Sequence, residues 1–194
     1  MSGNTGALQT FLAQRPVLAD LFNLGIAATG ANGIVIAEVP RSAGRIGVDY
    51  VDRDYMVGAL KEGKATPGRP LMGRALKAPV IVMAVPVRDP PDKVIGSPAG
   101  VVSPGIPNFL DNITQGHYGK TGGHILVAAQ YRLIITASDK SRIMEALPVE
   151  ALPAPGVNRF VDRNIQGYEG SDVVVNALAE EVLAAIKRIP VAGW

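Results

Sequence analysis

The sequence has no cysteine, two histidines and one tryptophan, and aromatic residues make up only 5% of its 194 positions. Without cysteine there are no disulfides, no thiol nucleophile and no sulfur-ligated zinc. This fits an oxidising compartment, although many reducing-compartment domains share the trait. His117 and His124 offer too few ligands for a metal centre, so they read as loop or strand-edge residues. No Gly-x-Ser-x-Gly elbow pairs either histidine with a nucleophile. No apolar run approaches the roughly 20 residues of a membrane-spanning helix. The longest, Ala78 to Val87, is broken by Pro79 and Pro86 and reads as a strand.

Charge of one sign is lacking too. Nineteen Lys and Arg face 17 Asp and Glu, a net of +2. The basic residues are scattered, which argues against a nucleic-acid partner. Gly119-Lys120-Thr121 lacks the glycine a phosphate loop needs at position 114, where Thr114 stands, and no strand leads into it. Gly25, Gly30 and Gly33 have the wrong spacing for a dinucleotide fingerprint. Asp49, Asp52 and Asp54 are interrupted by Arg53, contrary to a calcium loop. No cofactor and no metal are expected, and nothing demands an enzyme.

What is present is a 47% hydrophobic chain able to bury a core. Leu8 to Leu24 repeats apolar residues at helical spacing, with Pro16 as a kink or a break. Strands are expected at Ile34 to Val39, Arg45 to Val48, Val80 to Val87, Lys93 to Val102, His124 to Ala129 and Leu133 to Ala137. A short helix from Arg53 to Glu62 is expected, with Asp52 as its N-cap and Gly63 past its end. Asn108 to Ile113 reads as one helical turn, and Pro148 to Gly156 as a crossing segment. Ser97-Pro98 marks an edge strand or a bulge. Asp172 to Ile189 suits either a helix or a hairpin. Strands joined by short turns pair antiparallel, so the class is α+β.

The N-terminus shows no signal-peptide pattern. The C-terminus stops at Trp194 on a large apolar side chain, which favours a soluble piece of a longer protein.

Several motifs follow one another in a recognisable order. Asn32-Gly33-Ile34-Val35-Ile36-Ala37 is followed by Gly44-Arg45-Ile46-Gly47-Val48-Asp49-Tyr50, then Asp52-Arg53-Asp54-Tyr55. Next come Pro79-Val80-Ile81-Val82-Met83-Ala84-Val85-Pro86-Val87 and Lys93-Val94-Ile95-Gly96, and later Thr121 to Val127 and Ser138-Asp139. This order resembles the double Cache sensor domains of bacterial transmembrane receptors. The resemblance implies a long N-terminal helix (1–24) followed by two PAS-like antiparallel modules. The membrane-distal module (25–118) binds ligand, and the membrane-proximal one (119–194) is incomplete. It also implies a hairpin rather than a helix between Asp172 and Ile189.

For function, the resemblance implies a periplasmic input domain. Its flanking membrane helices lie outside this chain, and its output is a diguanylate cyclase, histidine kinase or chemotaxis signalling domain. The ligand would be a small molecule held by Arg53 and Tyr55, with Tyr50 and Arg74 as further candidates. Arg53 would grip a carboxylate while the tyrosines wall the pocket. The competing reading pairs Arg53 with Asp49 or Glu62 on the surface. Val101 to Gly105 lacks the aspartate that amino-acid-binding relatives use for the ammonium group, which favours a simple carboxylate. The turns at Pro90-Pro91-Asp92 and Gln130-Tyr131-Arg132 lack the usual glycine. A homodimer through the N-terminal helix is the alternative role.

Overall fold

The computed structural model describes residues 5–116, 119–147, 160–175, 180–190 and 192–194. The expected crossing at Pro148 to Gly156, and His117, lie outside the described residues.

Pro16 breaks the N-terminal helix into α1 (Thr5–Ala13) and α2 (Pro16–Leu21), where it takes the first helical position. It has no N–H to leave unsatisfied there. The expected long helix is therefore two short ones.

The sheet that follows is antiparallel throughout, in the order β2-β1-β7-β5-β3. It comprises β1 (Ile26–Gly30), β2 (Val35–Val39), β3 (Thr66–Pro67), β5 (Pro79–Ala84) and β7 (Val94–Val102). Two short strands join its margins: β4 (Leu71–Met72) on β5 and β6 (Val87–Arg88) on β7. Alternation along β1 divides the core. Ile26 and Ala28 meet Leu12 of α1, with Leu18 and Phe22 packed alongside. Ala27 faces the opposite side, towards Tyr55, Met56 and Ala59.

Those three residues belong to α3 (Asp54–Met56) and the wider π turn that continues it (Val57–Lys61). Gly63 ends this helix with φ of +64°. Arg53, not Asp52, takes the N-cap position. The Asp52 side chain is instead held by Arg74.

Three strand expectations need correction. Arg45 to Val48 is no strand; it turns, meeting the sheet through a bridge between Ile34 and Asp49 and a bond from Gly47 N–H to Val35 O (2.9 Å). β1 itself has a sequence, Ile-Ala-Ala-Thr-Gly, too poor in β-branched residues to declare itself. Pro98 lies in the central strand β7, opposite Ala28 of β1, rather than at an edge. It is tolerated because the opposing strand breaks at Val85-Pro86, between β5 and β6. The Ser97 hydroxyl donates to Val85 O (2.9 Å), the carbonyl a Pro98 N–H would otherwise reach.

Beyond the sheet come α4 (Asp111–Thr114) and the hairpin β8 (Ile125–Ala128) and β9 (Leu133–Ala137). After α5 (Phe160–Ile165) comes the hairpin β10 (Gly170–Val175) and β11 (Glu181–Ile186). The 181–186 stretch is thus a strand, against its helical propensity. The two turns without glycine place other residues in the left-handed region, Asp92 at φ +69° and Arg132 at +53°. Ile81 of β5 joins Leu110, Leu126, Ala128 and Ile135 in one cluster, so the sheet and the β8–β9 hairpin share a core.

Candidate ligand site between the short helix and the sheet

α3 lies across one face of the sheet because its buried side is made of residues that fit closely. Gly68 passes so near Tyr55 that an added Cβ would sit 2.7 Å from the ring. Between helix and sheet is a cavity of about 450 Å³, its open mouth included. Its walls are largely apolar: Ala27, Met56, Leu71, Leu76, Val80, Val82, Ala99 and Val101.

The polar lining is Thr29, Arg45, Tyr50, Arg53, Tyr55 and Arg74. All four residues singled out from the sequence therefore meet at one cavity. Arg53 stands where the chain enters α3. Its Nε is buried and has no hydrogen-bond partner among the described residues. It pairs with neither Asp49 nor Glu62: Asp49 accepts from the Val51 N–H (2.8 Å), and Glu62 lies beside Lys64 (3.6 Å).

Tyr50 and Tyr55 are both buried, and neither hydroxyl makes a hydrogen bond among the described residues. Burial pushes both phenols up; for Tyr50 it outweighs the opposing influence of Arg45, Arg74 and Arg53. Both stay neutral and able to donate. Arg74 sits in the turn joining β4 to β5. It donates to Asp49 O (2.7 Å) and Asp52 Oδ2 (2.8 Å) and lies 5.9 Å from the Tyr50 ring centre. These contacts tie that turn across the mouth.

Sequence reasoning missed Arg45 and Glu38. Arg45 is only 2% exposed, and Glu38 1%. The Glu38 carboxylate accepts from the Arg45 backbone N–H (3.0 and 3.1 Å) and from its Nε (3.0 Å). Arg45 Nη2 reaches Ile26 O at 3.4 Å, while Nη1 is buried without a partner among the described residues. A signal existed: Glu38 interrupts an apolar β-branched run, and a buried carboxylate requires a cation.

No acidic residue lines the cavity among the described residues. No group of metal-ligating side chains occurs among them either. The arrangement can accept an anionic or oxygen-rich small molecule. It holds no nucleophile–base pair that would transform one.

Comparison with solved structures shows the Cache sensor fold. The sensor domain of the V. cholerae histidine kinase DctB superposes with a TM-score of 0.63 at 11% identity, covering 97% of this chain and 75% of that one. The ligand binding domain of the Pseudomonas aeruginosa PAO1 amino acid chemoreceptor PctB, in complex with L-Gln, gives 0.55 at 24% identity, covering 73% and 56%. An extracellular ligand binding receptor from Desulfohalobium retbaense gives 0.54 at 14%, covering 77% and 25%. The chain thus spans a quarter of that receptor and just over half of the PctB domain. No protein-family model matches the sequence, and no curated protein does.

Proposed function

We propose that this chain is the extracytoplasmic small-molecule sensing part of a bacterial membrane receptor, and that the cavity under α3 binds a small carboxylate. The observation that carries this reading is the buried, unpartnered Nε of Arg53 in a cavity with no acidic lining. A buried cationic N–H needs an acceptor, and among the described residues the protein supplies none. Tyr50 and Tyr55 would donate to the same ligand, and Arg74 would fasten the mouth over it. The site lies within the distal module, 25–118, and the second module would pass the signal on. The solved relatives, described as sensor and ligand-binding domains, support this assignment. Among the described residues no helix is long and apolar enough to cross a membrane. Membrane attachment and a kinase, cyclase or chemotaxis output would belong to other parts of the receptor.

A thermal-shift screen of small organic acids tests it. A ligand at 100 times its dissociation constant adds about 2.7 kcal/mol, and Arg53→Ala should abolish the shift. Stabilising acids indifferent to that substitution would place the site elsewhere.

A second reading, a homodimer through the N-terminal helices, is favoured by one observation. Phe11, Val17 and Leu21 stay exposed there at 51%, 57% and 44%. Sedimentation should then show a ligand-independent dimer that Phe11→Asp with Leu21→Asp dissociates; a monomer before substitution rejects it.

A further inference from the structure

Arg53 Nε is one of two buried guanidinium nitrogens without a hydrogen-bond partner among the described residues; Arg45 Nη1 is the other, and both arginines line the cavity. The two arginines differ in their charge balance. Arg45 is neutralised by Glu38 (3.0 Å), and Arg74 by Asp52 (2.8 Å). Arg53 has no ion-pair partner among the described residues.

We propose that the ligand is a short aliphatic monocarboxylate carrying one further uncharged oxygen acceptor, a hydroxy or oxo acid. Arg53 Nε takes the carboxylate, and Arg45 Nη1 takes the uncharged oxygen. This rests on the cavity being the ligand site, and it narrows the ligand's chemistry. One negative charge neutralises the site, since only one of its three cations lacks a counter-charge. A second carboxylate placed on Arg45 would crowd Glu38, which is bonded to the same guanidinium. In a desolvated site, two like charges sharing one cation are strongly disfavoured. An ammonium group would find guanidinium ions and no lining carboxylate. A purely aliphatic tail would leave Arg45 Nη1 buried and unsatisfied. A neutral oxygen meets every condition, and Met56, Val82 and Val101 supply the apolar wall along the carbon chain.

Calorimetric titration of the whole chain with a four-carbon series tests this. The series is butyrate, 3-hydroxybutyrate, 4-hydroxybutyrate, 2-oxobutyrate, succinate and 4-aminobutyrate. At least one hydroxy or oxo acid should bind about tenfold tighter than butyrate, equivalent to ~1.4 kcal/mol. Succinate and 4-aminobutyrate should bind more weakly than butyrate. Glu38→Gln keeps an acceptor for Arg45 but removes the counter-charge, so it should move the preference towards succinate. Should that variant fail to fold, the unmodified chain decides by itself. Butyrate equal to every hydroxy and oxo acid, or succinate or 4-aminobutyrate tightest with Arg53 still required, would overturn this inference and leave the cavity as the site. Absence of binding by all six acids would overturn both.

Discussion

A guanidinium taken out of water needs a counter-charge and hydrogen-bond acceptors. Arg45 finds its charge partner in Glu38, which in turn is anchored from α1: Gln9 Nε2 donates to Glu38 O (2.7 Å), and the Glu38 N–H donates to Gln9 Oε1 (3.2 Å). Removing the carboxylate leaves a buried cation uncompensated, a change that costs about 3–5 kcal/mol. Glu38→Ala should lower the unfolding free energy by that amount in urea denaturation. A loss near zero would mean that water already reaches the Arg45 guanidinium. Arg53, Tyr55 and Tyr50 stand out in the sequence through the resemblance of the Asp52 to Tyr55 segment to Cache domains, and the fold gathers them at one cavity. Arg45 does not stand out, since it reads as the first residue of a short strand after the loop Arg41 to Gly44. Its partner lies seven residues earlier, and the burial of both depends on how β2 is covered from each side.

At the scale of elements, the site exists because α3 is held close to the sheet. Gly58 permits that approach: a Cβ there would lie 2.0 Å from Thr66 Oγ1 and 2.7 Å from Thr66 Cβ. Gly58→Ala should therefore cost stability, by about 1–3 kcal/mol for overpacking. It should also weaken any acid that stabilises the chain, because the helix carrying Tyr55 must lift. Unfolding and titration of the same variant check both; an unchanged affinity would separate the cavity from the helix position. The hairpin β5 to β7 and the antiparallel class were legible in alternating apolar runs. β1 was not, since its burial comes from its place between β2 and β7 rather than from its own residues. The helical propensity of 181–186 lost to pairing with β10, a contact no local pattern encodes.

For the molecule as a whole, charge holds the surface together in a pH-dependent way. Hydrogen bonds from cationic side chains hold Asp52 (from Arg74), Glu145 (from Arg142), Glu169 (from Lys187) and Asp172 (from Arg163) below the usual carboxylate range. Burial would raise Asp111, but bonds from Lys140 and the Asn108 N–H bring it lower. A depressed folded-state value means stability that is present above the unfolded value and lost as pH falls through the folded one. The thermal midpoint should accordingly stay level from about pH 8 to 5 and drop once pH passes below about 4.5. Asp52→Asn should remove part of that drop, and an unaltered acid profile would show that the Arg74 tie is not populated in solution. Lys140 reaches Pro104 O (3.1 Å), Thr136 Oγ1 (2.8 Å) and Asp111, linking the segment after β7 to the second hairpin. Ala99 and Val101 of β7 also form part of the cavity wall.

The central claim, that an acid sits between α3 and the sheet on Arg53, is tested most directly by a crystal structure with a stabilising organic acid bound. The account predicts a carboxylate oxygen within hydrogen-bond distance of Arg53 Nε and a second oxygen on Arg45 Nη1. Ligand density outside this cavity, with both nitrogens still unpartnered, would contradict it.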